Sequence, residues 1–231
     1  MQIDVLTLFP KMFDAVLHES ILKRAQEFNG VKLKIHNIRD YTKNKHRKVD
    51  DRPFGGGAGM VFNCQPVIDA LLKVKSTKPK TKIILMSPKG KKLNHRLASQ
   101  ISKHKSMTLI CGHYEGIDER IKEHVDMEIS IGDYILTGGE IPAMVLIDSI
   151  IRLLPGVLGD KNSNIDESFS DGLLEYPHYT RPAVYNKRKV PDVLLSGNHK
   201  QINRWRRHQA IMKTLINRPD LITNIRQLEI N

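Results

Sequence analysis

Three stretches of this 231-residue chain combine glycine with polar side chains where short apolar runs end. The first is Ser87-Pro88-Lys89-Gly90, after Ile83-Ile84-Leu85-Met86. The second is Gly112-His113-Tyr114-Glu115-Gly116, after Leu109-Ile110-Cys111. The third is Gly132-Asp133-Tyr134-Ile135-Leu136-Thr137-Gly138-Gly139-Glu140, after Ile129-Ser130-Ile131. Glycine at such a point lets main-chain N–H and C=O groups approach a ligand with no Cβ in the way. In an open α/β sheet, ligands collect beyond the carboxyl ends of the strands. Three such exits can share one pocket of main-chain donors and acceptors, suited to an adenine or a ribose. Taken singly, each also reads as an ordinary strand-to-helix turn.

Two other features carry charge suited to catalysis. Arg152 lies in an apolar segment, 140–154, that reads as a buried helix with Pro142 in its first turn. A cation held by a rigid helix can face a developing negative charge. Arg152 also follows Asp148 by four residues, the favourable order for a helical ion pair. Asp166-Glu167-Ser168-Phe169 offers carboxylates after a Gly/Asn/Ser-rich stretch, either as proton acceptors or as solvated linker acids. Gly55-Gly56-Gly57-Ala58-Gly59 looks at first like a dinucleotide-binding loop. That fingerprint must leave a strand and open a helix, whereas this one follows charged, Pro-containing sequence. Residues 50–59 therefore read as a lid or binding loop.

The elements that must hold these groups alternate. Residues 3–9, 31–38, 82–86, 107–111 and 127–131 read as strands. Residues 12–28 and 66–74 have helical spacing, and further helices lie between and after the later strands. This predicts an α/β fold: a mainly parallel sheet with helices on both faces. Residues 1–158 form that domain, 159–171 a flexible linker, and 172–231 a small C-terminal helical domain. Its main helix, 198–217, is expected to place Ile202, Trp205, Met212 and Leu215 along one side.

Composition narrows the partners. Lys+Arg number 37 and Asp+Glu 25, so the formal charge is 37 − 25 = +12 and the pI about 9.7. Residues 1–80 hold 15 basic and 8 acidic side chains (+7), 81–160 hold 10 and 10 (0), and 161–231 hold 12 and 7 (+5). Basic ends around a neutral middle suggest a small-molecule site flanked by polyanion-binding surfaces. The N-terminus lacks a basic n-region and its apolar run stops at Pro10, unlike a signal peptide. The apolar stretch 141–158 is broken by Asp148, Arg152, Pro155 and Gly156, so no membrane span is expected. Two cysteines, Cys64 and Cys111, are too few for a disulfide framework or a zinc site, which points to a reduced cytoplasmic protein with no metal cluster.

The motif runs resemble one family closely. Gly112 to Arg120, Ser130 to Glu140, Leu154 to Gly159, Tyr176 to Pro182 and Leu194 to His199 are similar to the bacterial tRNA (guanine-N1)-methyltransferases (TrmD), of the SPOUT superfamily. Leu8 to Phe13 and Asp51 to Gly57 fit as well, so the resemblance spans the chain in order. It implies a deep trefoil knot, which periodicity does not show. It further implies a homodimer with its active site at the subunit interface, and methyl transfer from S-adenosylmethionine. The acceptor would be N1 of the guanine at tRNA position 37, next to the anticodon, when a guanine precedes it. That modification helps maintain the reading frame. Members of the family have been linked to magnesium, although the displacement itself needs no metal.

Carried onto this chain, the resemblance assigns the cofactor to Gly112, Tyr114, Glu115, Ser130, Ile131, Gly132, Asp133, Tyr134, Ile135 and Leu136. Ser87, Pro88, Gly138, Gly139 and Pro142 complete the pocket. Arg152 would stabilise charge on guanine O6 while a carboxylate takes the N1 proton. Two positions depart from the family pattern. Glu167 stands where Asp is usual, with Asp166 one residue earlier as second choice for the base, and Ala58 stands where Pro is usual. A ribose methyltransferase of the same fold would need no linker carboxylate, and a non-catalytic RNA-binding protein would need neither Arg152 nor the three exits.

Overall fold

The computed structural model describes residues 1–159, 167–224, 227 and 229. The chain divides into two compact units, Met1–Gly159 and Asp160–Asn231. In the first, strand β1 (Gln2–Thr7) leads through a 3-10 turn (Pro10–Phe13) to helices α1 (Asp14–Leu17) and α2 (Ser20–Phe28), then β2 (Lys32–Asn37). A second 3-10 turn (Ile38–Tyr41) precedes the short strands β3 (Asp50–Asp51) and β4 (Val61–Phe62). Then come α3 (Cys64–Thr77), β5 (Lys82–Lys92), α4 (His95–Ile101), β6 (Ser106–Cys111), a 3-10 turn (Glu119–His124), β7 (Met127–Ser130) and α5 (Glu140–Ile151).

The main sheet runs β2-β1-β6-β5-β7, and every neighbouring pair is parallel. Its two faces sort the apolar runs by alternation. Ile3, Val5, Ile84, Met86, Met107 and Leu109 join α2, α4 and α5 in one core. Leu6, Ile83, Leu85 and Ile110 join α3 and two of the 3-10 turns in the other. Burial on both faces is why these strands read as continuous apolar runs.

Several elements differ from the sequence expectation. The helix expected over 12–28 is broken, with Ser20 in the left-handed region at φ 50°. Leu17 to Leu22 is a step of five residues, which would turn Leu22 away from the core in a continuous helix; the break returns both to it. Strand β5 outruns its expected end at 86 because its pairing with β7 resumes after an interruption: Met86 and Lys91 both lie opposite Ile129. Helix α5 stops at Ile151, leaving Arg152 as its C-cap, and it is not buried all round, since Ile141 and Val145 are exposed.

The second unit holds a small hairpin of β8 (Val184–Tyr185) and β9 (Arg188–Lys189), then α6 (Asp192–Leu195) and α7 (His199–Asn217). The sequence reading anticipated the long helix but no strands. Asn198 caps α7 by accepting from the Gln201 N–H at 3.2 Å. The buried face of α7 is Ile202, Ala210, Ile211 and Thr214, while Met212 and Leu215 are exposed. Leu173 and Ile222 pack on Ala210 and Ile211, and this contact sets the rotation of the helix. Residues 167–171 are tied into this unit: the Phe169 N–H donates to the Leu173 carbonyl at 2.7 Å, and Arg207 Nη1 to Asp171 Oδ2 at 2.7 Å.

One buried charge holds the edge of the main sheet. Asp4 on β1 is 1% exposed. Its carboxylate meets His36 Nε2 of β2 at 2.8 Å and the Lys78 ammonium just past α3. Burial opposes ionisation of Asp4, but the hydrogen bonds from His36 and Lys78 and their charges outweigh it and hold the carboxyl below its ordinary value. A carboxylate with a depressed folded-state pKa contributes stability above its unfolded value of about 3.9, lost as pH falls through the folded value. Asp4→Asn leaves Lys78 without its counter-charge and is expected to destabilise the protein by about 3 kcal/mol at neutral pH. Urea melts at pH 7 and pH 3 should show that difference shrinking in acid; an equal loss at both would refute the ionic role.

Candidate active site

The three glycine-bearing exits do meet. They line one cavity of about 500 Å³ in the first unit, at the carboxyl ends of β6 and β7 and at the interruption within β5. That volume lies within the range of small-molecule sites. From β5 come Ser87, Pro88 and Lys89, which loop out where the register with β7 shifts. From β6 come Gly112, His113, Tyr114, Glu115 and Gly116, and from β7 come Ser130, Ile131, Gly132, Tyr134, Ile135, Leu136, Thr137, Gly138 and Gly139, with Pro142 of α5.

Close backbone approach explains the glycines. The Gly139 N–H donates to the Gly112 carbonyl at 2.8 Å, and His113 bridges Gly138. A Cβ on Gly139 would stand 2.7 Å from Cys111 Cα, and one on Gly90 would stand 2.4 Å from the Glu128 carbonyl carbon. The loop after β7 is thereby pressed against the end of β6. Ser130 fixes its first turn: its Oγ accepts from the Gly132 N–H at 3.2 Å and donates to the Gly132 carbonyl at 3.0 Å. Tyr114 sits at φ 63°, its ring edge-on to Phe62 and His113.

Of the residues expected at the cofactor, all but Asp133 line the cavity. Asp133 points outward to Lys92 Nζ at 2.8 Å, because it lies between the turn glycine and Tyr134 on the solvent side. The cavity also takes in residues the sequence reading left aside: Leu85 and Ile129 from the strands, Glu119 and Lys122 from the 3-10 turn, and His113. Lys122 is bonded to Glu119 at 2.9 Å and Glu128 at 3.2 Å, and these carboxylates raise its pKa. His113 stood inside a motif run, yet its buried Nδ1 has no partner among the described residues. Beneath the cavity, Glu140 is buried and accepts from Thr7 Oγ1 at 2.7 Å. Burial, with Glu140 nearby, pushes the Cys111 thiol well above its ordinary pKa, which suits packing rather than reactivity.

The remaining candidates lie elsewhere. Arg152 is half-buried at the end of α5, where a cation complements the helix dipole, and does not line this cavity. Glu167 is half-buried in the second unit and lines a separate cavity of about 240 Å³ with Glu175, Tyr176 and Arg206. Asp166 lies outside the described residues. The Gly-rich loop crosses between the antiparallel strands β3 and β4, with Phe54 at its fully exposed tip. It docks on the cavity rim, where the Glu115 N–H donates to the Met60 carbonyl at 3.1 Å and a Cβ on Gly59 would strike the Glu115 side chain. Among the described residues no group of three His, Cys, Asp or Glu is placed to hold a metal ion. Among them, too, no helix is long and apolar enough to cross a membrane.

A parallel α/β sheet with a cavity beyond its strands is the arrangement in which open α/β proteins hold nucleotide-like ligands. The family model described as tRNA (Guanine-1)-methyltransferase TrmD matches residues 1–224, and the chain belongs to that family. A tRNA (guanine-N(1)-)-methyltransferase of Bacillus pumilus (strain SAFR-032) is 56% identical over 231 residues, 99% of this chain and 94% of the relative. One of Ruminiclostridium cellulolyticum is 57% identical over 227 residues, covering 97% of each chain. One of Bacillus cereus (strain AH820) is 54% identical over 224 residues, 96% of this chain and 92% of the relative. Methyltransferase membership implies S-adenosylmethionine as methyl donor, and the cavity fits it: apolar walls from Leu85, Ile129 and Leu136 suit a purine, and the main-chain rim suits a ribose.

The Gly139 contact is testable. Gly139→Ala forces a methyl against backbone, a clash expected to cost about 1–3 kcal/mol of stability. Calorimetry should show S-adenosylmethionine binding weakened about tenfold or more, an energetic cost of the same size. Gly159→Ala meets nothing within 4 Å and serves as control. Wild-type affinity in Gly139→Ala would show that the close approach does not shape the site.

Proposed function

We propose that this chain methylates N1 of guanine in tRNA with S-adenosylmethionine as donor, at position 37 when a guanine precedes it. Family membership supports the reaction class, and the observation that carries the reading is the single cavity formed by all three glycine-bearing exits. Bound S-adenosylmethionine would supply a methyl group on a positively charged sulfur, which departs with the electrons of the broken C–S bond. Neutral guanine N1 bears hydrogen and is a poor nucleophile, so a base must take that proton as the new bond forms. Glu167 is assigned that role, with Asp166 as alternative. Arg152 is assigned to the negative charge that spreads onto O6. Gly112, Tyr114, Glu115, Ser130 to Leu136, Ser87, Pro88, Gly138, Gly139 and Pro142 are assigned to the cofactor, Asp133 through its main chain alone.

The same reading includes a knotted SPOUT topology, a homodimer sharing its active sites, action in the cytoplasm, and a tRNA-binding role for the second unit. The interrupted β5–β7 pairing, where chain passes within van der Waals distance of chain at Gly90, supports the knot. Exposed Phe9, Met12, Val16, Ile141 and Val145 in the first unit support a subunit contact. The basic surplus at both ends of the sequence supports tRNA binding.

Two experiments test this. Label from tritiated S-adenosylmethionine is expected in a tRNA transcript with guanine at position 37 after guanine, and not in one with adenine at 37; no label in the first would end the proposal. Glu167→Gln should reduce kcat about 10²- to 10⁴-fold with little change in cofactor affinity. Full turnover in Glu167→Gln, with loss in Asp166→Asn, would move the base to Asp166.

A further inference from the structure

The β8–β9 hairpin is built outward. Residues 178–189 are exposed without interruption. Between Tyr176 and Pro191 the sequence contains no acid, while it contains Arg181, Lys187, Arg188 and Lys189. None of these four cations has an ion-pair partner among the described residues. Val184 pairs with Lys189 and Tyr185 with Arg188, and the Val190 N–H donates to the Ala183 carbonyl at 2.9 Å. The hairpin is therefore hydrogen-bonded but presents its side chains to solvent, with Tyr185 69% exposed.

Its turn is unusual in composition. Asn186 and Lys187 both have positive φ, 47° and 63°. A two-residue turn of this kind favours Asn followed by Gly. Lysine in the left-handed region is strained, and strain of this sort persists where it serves a function. Here it places an unpaired cation at the tip. Cross-strand partners project on the same side of a hairpin, so Tyr185 stands beside Arg188. An exposed aromatic ring flanked by unpaired cations is the combination that binds unpaired nucleotides: the ring stacks on a base and the cations contact phosphates.

We propose that the β8–β9 hairpin is an RNA-contacting element of the second unit, with Tyr185 stacking on an unpaired base of the tRNA and Lys187, Arg188 and Lys189 holding the adjoining backbone. This rests on the tRNA-methylating reading above. The test is fluorescence anisotropy of the full-length protein with a tRNA transcript over a salt series. The triple variant Lys187→Ala, Arg188→Ala, Lys189→Ala should lower the slope of log affinity against log salt by about 2 to 3. Tyr185→Ala should weaken binding about 5- to 100-fold, and Tyr185→Phe should restore it. Lys187→Gly relieves the turn, so it should leave Tm unchanged or raised while weakening binding about threefold or more, one phosphate contact being lost. That split separates contact from folding. All variants should bind S-adenosylmethionine as the wild type does. Hairpin variants that bind tRNA within twofold of wild type and with the same salt slope would overturn the inference. So would hairpin-dependent binding of phosphatidylserine-rich vesicles with tRNA binding unaltered. A wild-type protein that fails to bind tRNA would instead overturn the tRNA reading itself.

Discussion

Backbone packed directly on backbone, at the interruption in β5 and at the ends of β6 and β7, is the constraint on which the first unit depends. Gly139 leaves no room for a Cβ against Cys111, and Gly90 leaves none against Glu128 and Ile129. These contacts force the loop after β7 to return across the end of β6 before α5 begins. The returning loop supplies one whole wall of the cavity, from Gly132 to Gly139. The glycines therefore act less by touching a ligand than by letting the chain close around the space one would occupy.

The same region shows how packing fixes chemistry. Helix α5 buries Ala143, Leu146, Ile147, Ile150 and Ile151 in the core shared with α2 and α4. With its N-terminus anchored at Gly139 and its body held in that core, its C-cap residue Arg152 has a fixed position. Glu140, at the other end, is buried and bonded to Thr7 of β1. A twelve-residue helix thus ties the cavity loop to the middle of the sheet at one end and presents a guanidinium at the other.

What could be read from residues alone follows from range. The strands were legible because burial on both faces leaves unbroken apolar runs, and the exits because glycine and polar residues follow those runs abruptly. The continuation of β5 through Lys92 was not, since residues 87–92 are mostly polar or basic and pair only because the register with β7 shifts. Membership of a motif run placed Asp133 at the cofactor but says nothing of where a side chain points. The Asp4–Lys78 contact joins residues 74 apart, beyond any local pattern. The β8–β9 hairpin escaped because its turn carries Lys187 where a glycine would have signalled it. The phase of α7 escaped because Met212 and Leu215 look as suited to a core as Ala210 and Ile211, and only the partners Leu173 and Ile222 choose between them.

The net charge gains a physical meaning from the pairings. The neutral middle third is not a region without charge; several of its basic and acidic side chains are paired with one another. Lys82 meets Asp126 at 3.0 Å, Lys92 meets Asp133 at 2.8 Å, and Lys122 meets Glu128 at 3.2 Å. Exposed pairs of this kind add little stability. Their effect is electrostatic: each partner cancels the other's field locally. Lys187 and Arg188 of the second unit have no ion-pair partner among the described residues, so their field is not cancelled in this way. The +12 of the chain is in this sense two arrangements, one in which cations lie against carboxylates and one in which they project to solvent without an ion-pair partner among the described residues, where their field adds up.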